Sequence, residues 1–161
     1  MMAERPDLEL PPGGTRGTEI PGPLRPLVRL MNPMGNLMVR FGVKVQRQPL
    51  LRLRTTGART GKRRSVVLGF FPDKSNPDAM VVVASNGGSA RHPGWAFNLS
   101  ANTGGATVDT GDGEVPVRVE ILRGEERSVM WDAIVAAAPG YGRYTEKTDR
   151  EIPLFRLTPG S

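Results

Sequence analysis

Apolar positions along the chain follow two periods, and the places where one gives way to the other mark the predicted elements. Over residues 24–41, Leu27, Leu30, Met31, Met34, Leu37, Met38 and Phe41 recur at spacings of three and four. This predicts an amphipathic helix with Arg25, Arg29 and Arg40 on its polar side, broken or kinked at Asn32-Pro33 and Gly35. From residue 50 the period shortens to two. Leu51 and Leu53 alternate with Arg52 and Arg54, as in a half-buried strand. The β-branched and aromatic run 65–71 predicts a second, more buried strand. Residues 80–84 read as a short, wholly apolar strand, and Pro93 opens a helix over 93–101 that carries Trp95, Phe97 and Leu99. Residues 106–109 and 115–122 form a hairpin around Gly111-Asp112-Gly113. Val115, Val117, Val119 and Ile121 take one face of its second strand, and Pro116 on the other face predicts a sheet edge or a bulge. The strongest helical signal covers 124–138. Glu125 and Glu126 sit in its first turn, Val129, Met130, Ala133, Ile134 and Ala137 form its buried stripe, and Pro139-Gly140 stops it. A last strand is predicted over 152–158.

About six strands, joined mostly as hairpins, with one helix after the third and another after the fifth, imply a mainly β, α+β architecture. The expected form is a small antiparallel barrel or strongly curved sheet with attached helices. At 161 residues the chain holds one domain with a real core. Residues 1–23, rich in Pro, Gly and charge, read as a disordered or loosely attached tail. Residues 24–48 read as the amphipathic helix and a connector, and 49–161 as the barrel domain. The helix either packs on the barrel or offers a basic, methionine-rich surface to anionic membrane or to a lipophilic substrate.

Charge changes the picture most. Residues 20–72 contain eleven Arg or Lys and no acid, so that window carries +11 and the remainder −5, which gives the net +6. Its centre is the turn Thr55-Thr56-Gly57-Ala58-Arg59-Thr60-Gly61-Lys62-Arg63-Arg64 between two strands. Glycines that let the backbone turn sharply, with four cations and three hydroxyls, suit phosphate or carboxylate groups. A second glycine-rich loop, Ser85-Asn86-Gly87-Gly88, follows the strand 80–84 and brings Arg91.

Other chemistries are excluded or weakened. Without cysteine there are no disulfides, thiolate metal sites or cysteine nucleophiles. One histidine, His92, excludes a multi-histidine metal centre, and no metal is expected. There is no GxGxxG, no GxxxxGK[ST] and no GxSxG. No apolar run reaches the roughly 18 residues of a membrane span, and the N-terminus lacks a signal-peptide core. A cytoplasmic protein is expected, with the basic helix available to the inner face of the membrane. Nucleic acid is not the expected partner, because Phe41 is the only aromatic ahead of the hairpin and single strands need stacking platforms. The residues favour a protein that binds an anionic molecule and leaves the chemistry to it.

Three runs carry a resemblance: LRTTGARTGKRRSVVL, VVVASNGGSARHPGWAFNLSAN and WDAIVAAAPGYGRYTEKTDREIPLFRLTP. In this order and spacing, over residues 50–159, the chain resembles the deazaflavin-dependent nitroreductase and quinone reductase family. These are split β-barrel, flavin-reductase-like oxidoreductases that use coenzyme F420. The resemblance implies hydride transfer from F420H2 to a hydrophobic acceptor such as a quinone or nitro compound, in a monomer or homodimer. It implies that Arg59, Thr60, Gly61, Lys62 and Arg64 hold the coenzyme's phosphate and glutamate tail, and that Ser65, Val66, Val67 and Leu68 line the deazaflavin. Ser85, Asn86, Gly87, Gly88 and Arg91 would close the other side, with Trp95 and Asn98 nearby. Tyr141 and Tyr144 would border the acceptor and serve as catalytic groups. Ala58-Arg59 replaces the Arg-Lys that many members carry after TTG, Arg63 replaces a common proline, and Ala138 stands where some nitroimidazole-reducing members have a further tyrosine. Rival readings are an FMN- or haem-binding split barrel, and a non-catalytic basic module for membrane or nucleic acid.

Overall fold

The computed structural model describes residues 8–17, 39, 48–102 and 104–160. The helix and connector expected over 24–48 lie outside the described residues, apart from Val39, which is helical and buried, and Gln48. The strands are β1 (Leu50–Thr56), β2 (Arg63–Gly69), β3 (Phe71–Pro72), β4 (Met80–Val83), β5 (Thr107–Asp109), β6 (Glu114–Ile121) and β7 (Leu154–Pro159). The helices are α1 (Gly94–Ala101), α2 (Gly124–Ala137) and α3 (Gly140–Lys147), and a 3-10 turn spans Asn86–Gly88.

All pairings are antiparallel, and the strand order is β2-β1-β5-β6-β7-β4-β3. β2 and β3 lie at opposite edges of this sheet, yet only Phe70 separates them in the chain. The edges must therefore approach each other, so the sheet curls into a split barrel, as the hairpin-rich sequence predicted.

Two apolar clusters hold it together. The inner one joins Leu51, Leu53, Val82, Val108, Val119, Phe155 and Leu157 to Trp95, Ala96 and Leu99 of α1. The outer one packs Met130, Ile134 and Ala138 against Phe71, Val81, Val83 and Leu154. β4 serves both, Val82 inward and Val81 and Val83 outward, which is why its sequence is apolar throughout. β1 faces the core on one side only, so Leu51, Leu53 and Thr55 are buried while Arg52 and Arg54 point out.

Four expectations are corrected. The run 65–71 is not the more buried strand. β2 is an edge, with Arg63, Arg64 and Ser65 exposed and the remainder half-buried, and Phe71 belongs to β3. Composition identified a strand but not how many of its sides are covered. Pro116 does not mark an edge strand either. β6 is interior; residues 114–116 pair with β5, and pairing with β7 starts at Val117, so the proline stands where the ladder changes partner. On α2, Val129 is exposed, as is Ala137, and the buried line is Met130, Ile134 and Ala138. Lastly, within the segment read as a loose tail, residues 8–17 are docked. Leu8 enters the inner cluster, and Gly14 N–H donates to Ala90 O at 2.8 Å. Those anchors are mostly backbone bonds, which leave no hydrophobic period.

Candidate functional site

The basic turn is built by its own backbone and by α1. Gly57 N–H donates to Lys62 O at 2.8 Å and Gly61 N–H to Gly57 O at 3.0 Å. Gly61 takes a left-handed φ of 67°, and a Cβ there would meet nothing. Asn98, on α1, pins the turn with both ends of its amide. Its Oδ1 accepts from Ala58 N–H at 2.9 Å, and its Nδ2 donates to the buried Thr55 Oγ1 at 3.1 Å. Asn102 Nδ2 adds a bond to Thr56 O at 3.3 Å.

Pairing sorts the cations of the acid-free window into two groups. Arg52 binds Asp109 at 2.9 Å and Arg54 binds Glu114 at 2.8 Å. Arg63 donates to Gly105 O at 2.6 Å and lies 3.6 Å from Glu114. A hydrogen bond from Thr107, then the charges of Arg54 and Arg63, hold the Glu114 carboxyl below its ordinary value. The side chains of Arg59, Lys62 and Arg64 are exposed and make no hydrogen bond or ion pair with another described residue. Thr60 and Ser65 are exposed beside them.

From this turn β2 runs along the open edge, presenting half-buried Val66, Val67 and Leu68. Its far end, Gly69, lies against Gln48, whose side chain occupies the space a Cβ would need. Gln48 Oε1 accepts from Tyr141 Oη at 3.3 Å. At 3.3 Å per residue, the seven residues of β2 place this end about 20 Å from the basic turn.

Around Gln48 the aromatic rings stack edge to face. Tyr141 packs on Phe71 at 5.6 Å and on Tyr144 at 5.6 Å between centroids. Burial, against the Gln48 hydrogen bond, raises the Tyr141 phenol above its usual value, so it keeps its proton. The Tyr144 hydroxyl makes no hydrogen bond with a described residue. Both tyrosines stand on α3, three residues apart, one turn on the same side. The loop after β4 closes on that side. Asn86, Gly87 and Gly88 take successive left-handed φ values of 46°, 64° and 83°, and a Cβ on Gly88 would sit 3.3 Å from Tyr144 Cδ1. Asn86 Nδ2 donates to Arg91 O at 3.0 Å within the loop, and the Arg91 side chain is exposed.

A family model described as F420H(2)-dependent quinone reductase matches residues 29–159. The chain belongs to that family. An F420H(2)-dependent quinone reductase of Mycobacterium tuberculosis (strain ATCC 25618 / H37Rv) is 34% identical over 113 residues, covering 68% of this chain and 73% of the relative. A solved structure titled as an F420-H2 dependent reductase is 39% identical, covers 67% of this chain and 92% of its own, and superposes with a TM-score of 0.57. Another, titled a domain-swapped dimer, is 33% identical over 82% of this chain and 98% of its own, with a TM-score of 0.59. The protein is thus an F420H2-dependent oxidoreductase of split-barrel fold, with reduced F420 as hydride donor.

The site's chemistry fits that coenzyme. Three cations without a partner among the described residues suit its phosphate and glutamate tail, and a strand edge that no described strand covers suits the amide-like rim of its ring system. The structure brings the basic turn and Asn98 to one end of β2, and packs the 86–88 turn, through Gly88, against the α3 helix that carries Tyr141 and Tyr144. Trp95 is not on this surface; it is buried in the inner cluster, edge to face with Phe155 at 5.4 Å. Two residues escaped the sequence reading. Gln48 sits in a stretch without pattern, and Arg150 looks like an ordinary surface arginine yet is buried behind the 84–92 loop. No local signal distinguishes either, because both act through distant partners.

Proposed function

We propose that this family member reduces a lipophilic quinone in a pocket at the Tyr141–Tyr144 end of β2, with the coenzyme lying along the open strand edge. The observation that carries the reading is the layout of β2: Arg59, Lys62 and Arg64, unpaired among the described residues, at one end, a tyrosine pair at the other, and half-buried Val66 and Leu68 between. In this reading Arg59, Lys62 and Arg64 bind the anionic tail, and Thr60, Gly61 and Ser65 shape its seat. Val66 and Leu68, on one side of β2, cover one face of the ring, Val67 flanks it from the strand's other side, and the loop Ser85, Asn86, Gly87, Gly88 with Arg91 bounds the opposite side. Asn98 acts from beneath, since its amide is spent on holding the turn.

When bound, reduced F420 supplies a hydride to the acceptor. The chain's own residues orient, exclude water and stabilise charge. Tyr144 is the donor to the acceptor oxygen that gains charge, because its hydroxyl is uncommitted among the described residues. Tyr141, tied to Gln48 and stacked on Tyr144, fixes the ring that donates. The basic, methionine-rich segment 24–41 brings the enzyme to anionic membrane, where lipophilic quinones dissolve, and the active form is a homodimer. Among the described residues no helix is long and apolar enough to cross a membrane.

The test is a parallel titration with F420, FMN and duplex DNA, followed by F420H2 oxidation with a naphthoquinone. Preferred binding of F420 and quinone-dependent oxidation are expected. Tighter binding of FMN, or no oxidation with any quinone, would overturn the reading. Cosedimentation with anionic over neutral vesicles tests the membrane contact, and light scattering tests the dimer.

A further inference from the structure

Behind the 84–92 loop lies a guanidinium whose bonds all go to that loop. Arg150 is buried and has no acidic partner among the described residues. Its Nε donates to Ser89 O at 2.7 Å. One terminal nitrogen donates to Ala84 O at 3.0 Å and Ser85 O at 2.7 Å. The other donates to His92 Nδ1 at 3.0 Å. His92 then holds its proton on Nε2, which donates to Pro11 O at 2.6 Å. One fork therefore ties both ends of the loop to each other and, through His92, to the docked segment 8–17.

The same loop is clamped from its outer side. Gly14 N–H bonds Ala90 O, and Gly17 lies so close to Gly88 O and Ala90 N that no Cβ fits. Asp149, next to Arg150, accepts from Thr15 N–H at 2.8 Å and Thr15 Oγ1 at 2.5 Å. Within the loop, Asn86 Nδ2 donates to Arg91 O and Ser89 Oγ accepts from Arg91 N–H, ties that join loop residues only to one another. Three successive residues at positive φ, two of them glycine, have several accessible conformations in the absence of ties from outside the loop. The remaining side of this loop, at buried Gly88, packs on Tyr144 and Lys147 of α3.

We propose that Arg150 is a positioning residue for acceptor reduction: by fixing Ala84, Ser85 and Ser89 carbonyls it sets Gly88 against Tyr144 and thereby the width of the acceptor pocket. This rests on the placement of the acceptor beside Tyr144. A buried arginine costs desolvation, and here that cost is met by carbonyls and an imidazole rather than by a counter-charge. Such an arrangement sets geometry, and because R150K keeps the positive charge, comparing it with R150M separates that geometry from the charge itself. The cations assigned to the coenzyme's tail stand on and beside the β1–β2 turn, which takes part in none of the Arg150 bonds.

The experiment compares wild type with R150M and R150K in the full chain. It reads amide hydrogen exchange across residues 84–91 and across α2, the F420 dissociation constant, and KM and kcat for a naphthoquinone. R150M is expected to speed exchange in the loop by about tenfold or more, the loss of one or more charge-assisted bonds, and to leave α2 unchanged. Quinone KM should rise by a similar factor, and F420 affinity, which draws on the same loop only at the ring and on the separate cations at the tail, should fall by less. R150K, which keeps the charge and up to three donations, should fall between, and it carries the test if R150M does not fold. A loop that exchanges as in wild type overturns the proposal alone. A loop and α2 that loosen together overturn it too, since Arg150 would then serve only global stability. A loosened loop with unchanged quinone KM overturns it together with the placement of the acceptor.

Discussion

Arg63 and Arg64 are neighbours in sequence, and the structure predicts opposite consequences for their removal. Arg63 is consumed by the protein: it bonds Gly105 O, reaches Thr107 Oγ1 and lies near Glu114. Its side chain is 46% exposed, so solvent screens the Glu114 pair, which is worth at most about 1 kcal/mol. Arg64, one residue on and therefore on the other side of β2, has nothing to hold among the described residues. If it binds the coenzyme's anionic tail, R64A removes at least one charge-assisted hydrogen bond, about 1.5–3 kcal/mol. Through RT that is roughly a tenfold to 150-fold rise in the F420 dissociation constant. R63A should move it little but lower the melting temperature by a few degrees, about 2–4 °C per kcal/mol for a chain of this size. The assay is a fluorescence titration at two ionic strengths, with melting followed in parallel. The wild-type constant should weaken with salt, and R64A should show a shallower salt dependence, because a partly exposed charge pair is screened. Equal F420 affinity in wild type and R64A, or a larger loss in R63A than in R64A, would refute the division of these cations into structural and binding groups.

Other outcomes follow from the same geometry. N98A releases the turn and strands the buried Thr55 hydroxyl; two neutral hydrogen bonds cost about 1–3 kcal/mol, so the melting temperature should drop and F420 binding weaken together. Y144F should lower quinone turnover by about tenfold to a hundredfold, roughly 1.4–2.7 kcal/mol of barrier, with F420 affinity unchanged, whereas Y141F, whose hydroxyl faces Gln48, should cost less; equal turnover in both and in the double variant would leave the tyrosines as walls only. Burial, opposed by the Pro11 bond and assisted by Arg150, depresses the folded pKa of His92 below 6.5. Its contribution to stability is then full above pH 6.5 and lost as pH falls through the folded value, so H92Q should flatten the fall in melting temperature just below pH 6.5.

How much of this was legible in the sequence depended on whether the determinant was local. The alternation at Leu51–Leu53 gave β1 and its buried face, because one side of that strand meets the core and the other meets Asp109 and Glu114. The apolar run at residues 80–84 gave β4. The absence of acids over 20–72 pointed to anion binding, but no sequence pattern could say that Arg52, Arg54 and Arg63 are neutralised by a hairpin some 40 to 60 residues further on. Asn98 was singled out through a resemblance and proves to hold the turn from below. Arg150 and Gln48 stayed hidden for the same reason. Their partners are the 84–92 loop and Tyr141, and only the curled sheet brings them together.

The strand misjudged most clearly is the one nearest the proposed chemistry, and the two facts have one cause. Residues 65–71 have the composition of a strand covered on both sides, yet β2 ends the sheet half-exposed. An edge with apolar side chains invites pairing with other chains, and proteins usually blunt such edges with charge or cover them. Here charge blunts only the first part, Arg63 and Arg64, while Val66, Val67 and Leu68 remain half-covered. A composition that anticipates burial, at an edge that no described strand covers, is what a strand completed by a ligand requires. Apolar side chains then meet a ring face, the open backbone meets polar groups on the ring's rim, and the cations at one end meet a charged tail. The same logic explains why Gly69 must lack a side chain. The strand's far end has to admit Gln48, which carries the link from this edge to Tyr141. Filling that point with G69A would push Gln48 away and uncouple the coenzyme's edge from the tyrosine pair without touching a single cation.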